Sequence, residues 1–155
     1  MPTVVFLDTS ILCEVLKVPG KTQRHEAVTE ELHARIGRGE SLVLPTASII
    51  ETGNHIAQLS NGLQRRNRAT SLATLLEMTA KAQAPWSLHG AAWDDAFLLS
   101  MCDGPGQCPS LPEMATQEIG AGDVSVLAEA DHYRRRVAGV TVEVWTLDAG
   151  LRAYT

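Results

Sequence analysis

Apolar positions along the chain change period several times, and each change marks an element. Thr3 to Leu7 is β-branched and aromatic without polar alternation, the pattern of a strand covered on both faces in a parallel sheet. Asp8-Thr9-Ser10 supplies capping side chains, and Ile11 to Lys17 reads as a short helix closed by Pro19-Gly20. A helical stripe of Val28, Leu32, Arg35 and Ile36 predicts a second helix over 22–38, with Arg35 contributing its aliphatic stem. Ser41 to Pro45 is a second strand. Thr46 is placed to cap a helix running from Ala47 to about Leu59, with Ile49, Ile50, Ile56 and Leu59 inward. After the turn at Ser60-Asn61-Gly62 comes a longer helix from Leu63 to Ala82, carrying Leu72, Leu75, Leu76 and Met78, and another follows from Gly90 to Met101. The stretch from Cys102 to Glu118, with Gly104, Pro105, Gly106, Pro109 and Pro112, reads as a long loop. Asp123 to Val137 is amphipathic, with Val124, Leu127, Ala128 and Ala130 on its apolar side, and Val140 to Leu147 is a strong final strand.

Strands alternating with helices predict an α/β fold with a central parallel sheet flanked by helices. The 155 residues make one domain, spanning 1–155, and show no repeat, linker or low-complexity tract. With 45% hydrophobic and 20% charged residues, the chain can bury a core without staples, which argues against disorder. Three cysteines (Cys13, Cys102 and Cys108) cannot all pair, so reduced thiols are expected, and no neighbouring ligands suggest a zinc site. The opening segment has no cationic leader, and no stretch approaches the roughly 18 apolar residues of a membrane span. These features predict a cytoplasmic protein that makes no membrane contact.

The acids bring in the chemistry. Two apolar strands run into an aspartate, one at Asp8 and one at Asp148. In open α/β sheets ligands bind at the carboxyl ends of strands, so both belong to one candidate rim. Each also has a plainer role, capping the helix that follows. Glu51 lies within the helix after the second strand, where taken alone it reads better as a solvated helix glutamate. Asp123 follows Gly120-Ala121-Gly122 at a helix start, where a carboxylate is favoured anyway. Spacing alone is compatible with a metal site but does not establish one.

In order, the segments VVFLDTSIL, LPTASIIE, GAGDVSVLAEA and VEVWTLD resemble the PIN-domain ribonucleases, whose common small bacterial members are the VapC-type toxins of toxin–antitoxin pairs. The resemblance implies a PIN-like three-layer sandwich and a metal-dependent endoribonuclease using Mg²⁺ or Mn²⁺. It implies that Asp8, Glu51, Asp123 and Asp148 are the catalytic, metal-holding acids, with Ser10 and Thr146 as supporting hydroxyls. It also implies an RNA substrate, an antitoxin partner and a homodimer. The segment from Cys102 to Glu118 is longer than small toxins of this kind carry. An RNA-processing or defence nuclease without an antitoxin therefore stays open. Two readings of other classes are an inactive PIN-like binding module and a phosphotransfer enzyme with Asp8 as acceptor; the latter lacks the Asp-x-Asp of haloacid-dehalogenase-type phosphatases.

The net charge of −5 is unusual for a protein that grips phosphates, so cations must be concentrated locally. Arg65, Arg66 and Arg68 crowd one helical turn and are the candidates for RNA contact. Arg134 to Arg136 end a helix, where cations are favoured in any case. The five histidines show no ligand spacing, Asp94 and Asp95 read as an exposed helix face, and Glu129 reads as peripheral. Of the three tryptophans, Trp86 beside Pro85 is the candidate for base stacking.

Overall fold

A computed structural model describes all residues, 1–155. Four strands form one all-parallel sheet: β1 (Thr3–Leu7), β2 (Ser41–Val43), β3 (Trp86–Ser87) and β4 (Thr141–Trp145), in the order β3-β2-β1-β4. Register runs from Thr3 opposite Thr141 to Leu7 opposite Trp145 between β1 and β4, and sets Val4, Val5 and Phe6 against Ser41, Leu42 and Val43. Eight helices complete the chain: α1 (Thr9–Val15), α2 (His25–Gly37), α3 (Thr46–Ala57), α4 (Gly62–Ala80), α5 (Asp95–Asp103), α6 (Leu111–Thr116), α7 (Ala121–Arg136) and α8 (Ala149–Arg152). None is long and apolar enough to cross a membrane.

Strand side chains alternate between the two faces, and the core divides accordingly. Val5, Leu7, Leu42 and Leu44 pack with α1, α2 and α4 through Ile11, Leu12, Val28, Leu32 and Leu75. Val4, Phe6, Val43, Val142 and Val144 face α5, α6 and α7 through Phe97, Met101, Met114, Val124 and Leu127. Helix α3 serves both layers, with Ala47 in the second core and Ile56 in the first. This is the predicted three-layer α/β arrangement with helices on both faces of a parallel sheet. Strand order steps from β1 out to β2 and β3, then returns to the other side of β1 for β4. Connections leaving β1 and β4 therefore diverge, opening a crevice at their carboxyl ends.

Several expectations change. The third strand, β3, was not foreseen, because two residues carry no periodic signal. It takes Trp86 into the core at 7% exposure, with Nε1 donating to Thr79 Oγ1 at 2.9 Å, so Trp86 has no face to offer a base. The segment from Cys102 to Glu118 is not all loop. It ends α5, and after a turn it forms α6, favoured by Pro112 near the helix start and anchored by the fully buried Met114. The helix expected from Gly90 begins at Asp95 instead, where Asp94 accepts from Phe97 N. Pro45, not Thr46, occupies the cap position of α3. Ile36, Ile50 and Met78 lie at the surface, because each helix buries a narrower stripe than its apolar residues suggest.

Candidate metal centre

Asp8 leaves the end of β1 and caps α1, and Asp148 follows β4 and caps α8 with Oδ1 accepting from Gly150 N and Leu151 N. The capping role and the site role coincide in both residues, since each cap stands where its strand meets the crevice. Asp8 is buried at 2% exposure. Its Oδ2 accepts Ser10 Oγ at 2.8 Å, Thr146 Oγ1 at 2.8 Å and Ser10 N at 3.3 Å. The same two hydroxyls accept from Leu147 N and Asp148 N, so their protons are directed to Asp8 and their lone pairs hold the β4–α8 connection. Oδ1 of Asp8 has no partner, and it is the one carboxylate oxygen in the protein buried without one. An anionic oxygen in that state is costly unless something cationic reaches it.

Glu51 arrives from α3, and Ser48, one turn before it, and Thr52, directly after it, pin the helix. Ser48 Oγ donates to Leu7 O at 2.7 Å, and Cys13 Sγ approaches Thr52 Oγ1 at 3.9 Å. Thr9 Oγ1 donates to Glu51 Oε2 at 3.5 Å. Burial pushes the Glu51 carboxyl above its ordinary range, and the Asp8 charge adds to this against the Thr9 hydrogen bond. Asp123 enters from the first turn of α7. Burial is the main cause raising its carboxyl to about 7, followed by the charges of Asp8, Glu51 and Asp148 against one backbone hydrogen bond at Gly120. Gly122 explains how two acids from different helices come so near. A Cβ at that position would overlap Glu51 Oε1. The glycine leaves room for the Glu51 carboxylate where it stands; a larger residue would displace the end of that side chain.

All four acids line one cavity of about 520 Å³, with Ser10 on the same wall. Thr146 stands behind, buried at 4% exposure, and acts through Asp8. As the side chains stand, no three acidic, histidine or cysteine groups are gathered tightly enough to enclose an ion. They form an anionic cavity, not a closed coordination shell. The donor set nevertheless suits a hard divalent cation: oxygen ligands only, several carboxylates, room for water and one unsatisfied buried oxygen.

The same cavity contains residues that the sequence did not single out. Glu14 is buried at 4% exposure, and both its oxygens accept from Arg24 N at 3.2 Å. Lys21, Arg24 and His55 complete the wall. Burial, aided by Lys21, lowers the His55 pKa and favours the neutral ring. The visible signal for Lys21 and Arg24 was a pair of cations just beyond Pro19-Gly20. Arg65, Arg66 and Arg68 do not line the cavity. Arg65 Nη1 caps the α3 end through Leu59 O and Ser60 O, and Arg68 Nη1 donates to Leu16 O. Arg134 and Arg135 pair with Asp131. Glu129, expected at the periphery, is buried at 4% exposure.

Comparison with protein-family models, curated proteins and solved structures finds no match to this chain. The functional reading therefore rests on the chemistry of the cavity and on the sequence resemblance.

Proposed function

We propose that this protein is a metal-dependent endoribonuclease that hydrolyses RNA phosphodiester bonds in the cavity around Asp8. The observation that carries the reading is Asp8 Oδ1, buried without a partner among three further carboxylates. Asp8 would hold Mg²⁺ or Mn²⁺ through that oxygen, with Asp123, Asp148 and Glu51 as the remaining protein ligands, directly or through water. The bound cation would supply Lewis acidity toward the phosphoryl oxygen and a lowered pKa for an attacking water.

The chain's own groups do the rest. Ser10 and Thr146 fix Asp8 by saturating Oδ2, so its free oxygen keeps one direction. Burial and the neighbouring charges raise Asp123 to about 7 and shift Glu51 in the same direction. In its ionised form either carboxylate could accept a proton from water at the phosphate. Lys21 and Arg24 give the anionic cavity a cationic wall, which answers how a chain of net charge −5 receives a polyanion. A role for Arg65, Arg66 and Arg68 would be secondary contact along the strand. In the cell we assign the protein to the cytoplasm as a homodimeric toxin neutralised by an antitoxin.

The test is cleavage of single-stranded RNA with Mn²⁺ by wild type and Asp8→Asn. The amide keeps the shape and the hydroxyl contacts, so the variant should fold but lose more than about 100-fold in rate, beyond the usual cost of an outer-shell partner. Equal rates would overturn the reading. Growth arrest on expression, abolished by the same substitution, supports the toxin assignment; harmless expression of active enzyme would favour an RNA-processing or defence role.

A further inference from the structure

On the far side of Glu51 lies a second cleft of about 270 Å³, walled by Ala47, Ile50, Trp93, Met101 and Gly122. Glu51 lines both cavities, and its contact with Gly122 forms part of the partition between them. Trp93 is 48% exposed and Ile50 57% exposed, yet the indole is not loose. Its Nε1 reaches Glu129 Oε1 at 3.4 Å, and its ring packs on the buried Phe97 with centroids 4.9 Å apart. Glu129 makes no other side-chain hydrogen bond, and burial raises its carboxyl above the ordinary range. Burying an acid to hold one indole N–H is costly. What it achieves is a half-exposed aromatic plane in a fixed orientation beside the carboxylate cavity.

We propose that this cleft is a nucleobase subsite, in which a base of the RNA strand next to the scissile phosphate stacks on Trp93. The proposal rests on the nuclease reading and adds the part of the substrate that the carboxylate cavity cannot hold. Apart from Thr46 and Ser125 the walls are apolar, and the group they share with the first cavity is an acid, so a phosphate is repelled and a flat ring is accepted. The volume lies just below the range of about 300–1,000 Å³ usual for drug-sized ligands, which suits one base. Because Glu51 borders both spaces, a base in the cleft brings its own phosphate to the carboxylates. Stacking of this kind tolerates every base, so the subsite contributes affinity and register without demanding one sequence.

The test uses a fluorophore-labelled oligoribonucleotide with Ca²⁺ in place of Mg²⁺ or Mn²⁺, the strand checked intact on a gel. Its anisotropy gives Kd for every variant, and the intrinsic fluorescence of the full wild-type chain gives an independent readout. Trp86 is buried and Trp145 lies under the Arg35 guanidinium, so quenching by the strand reports mainly on Trp93. Wild type should show saturable quenching. Trp93→Ala should weaken Kd by about 5- to 150-fold, the range for one lost base stack. Trp93→Phe should recover most of it, and an oligonucleotide made entirely of abasic residues should bind wild type as weakly as the base-bearing strand binds Trp93→Ala. In RNA cleavage, Trp93→Ala should raise KM more than it lowers kcat. Absence of saturable quenching in wild type, or equal Kd for Trp93→Ala, or equal Kd for the abasic strand, would each overturn the subsite. A change from dimer to monomer in Trp93→Ala with Kd unchanged would assign the cleft to an interface between copies and overturn it as well. Failure of the nuclease reading looks different: Asp8→Asn would then cleave like wild type, whatever the binding data.

Discussion

Acids gather in two places around the sheet, and the two gatherings are built in opposite ways. Beside the edge strand β4, Arg35 bridges Glu31, Glu40 and Glu143 at 3.0, 2.9 and 3.2 Å, and Arg38 joins Glu31 and Glu40 at 3.1 and 2.9 Å. The Arg35 guanidinium also lies over the Trp145 ring, 4.9 Å from its centroid. At the carboxyl rim, Asp8, Glu51, Asp123 and Asp148 form no ion pair within 4 Å with any lysine, arginine or histidine. Their only support is hydroxyls and backbone N–H groups. Charges that serve the fold are neutralised by the chain itself, whereas charges left mutually repelling call for a cation from outside. The contrast is stronger evidence for a functional role at the carboxyl rim than the number of acids there.

The comparison can be broken most forcefully at Asp123. Asp123→Asn should cost more than about 100-fold in Mn²⁺-dependent cleavage, on the same ground as Asp8. It should also raise the metal-free Tm, because it removes a buried charge from a repelling group. A lowered metal-free Tm would show that Asp123 serves the fold and would remove the distinction between the two gatherings.

Next in size is the effect of Arg35→Met, which leaves three glutamates facing one another around a largely shielded position. The loss should be about 2 kcal/mol, between exposed pairs at about 0–1 and broken buried pairs at about 3–5. Denaturant unfolding measures it, and specific activity of the folded protein should not change.

The two gatherings should also respond to pH with opposite sign. Asp123 is raised to about 7, well above an unfolded value near 3.9. Between those values the folded state binds more protons than the unfolded one, so metal-free stability falls as pH rises. Burial alone would raise Glu40, but hydrogen bonds from Arg38 and Arg35, with their charges, hold it below the usual range. Its contribution is present above the unfolded pKa and lost as pH falls through the folded one. Thermal melts from pH 4 to 7 should therefore show a falling component that Asp123→Asn removes and Arg35→Met leaves. Saturating Mn²⁺ should abolish the same component. The smallest effect is expected at Gly122→Ala, where the added methyl displaces Glu51. Activity should drop about 10-fold, the scale of a disturbed supporting contact, with little change in Tm.

Much of this was readable from the chain. The run Val4 to Leu7 is fully buried as a parallel strand between two others, because only a strand covered on both faces can be apolar at every position. Val124, Leu127, Ala128 and Ala130 are buried in α7 as expected, but Ser125, Val126, Glu129 and Asp131 are buried with them, so this stretch is covered on all sides and not along one face. Asp8 and Asp148 were placed on one rim by the strand-end argument, and they line one cavity. The errors share a cause. β3 and α6 are too short to show a period, and the arginines at 65 and 68 looked free because their carbonyl partners at Leu59, Ser60 and Leu16 lie on other elements. Glu129 looked peripheral because nothing near it in sequence hinted at Trp93.

By itself the sequence determined the kinds of elements, the faces they bury and the presence of acids at strand ends, since backbone period and capping act within a few residues. The tertiary structure alone decided that Asp8 Oδ1 is left without a partner, that Gly122 admits Glu51 and that Glu129 holds Trp93. Each of these is a meeting of residues 36 or more positions apart, or the result of one. Such meetings depend on how the strand order returns across β1, which no local pattern encodes.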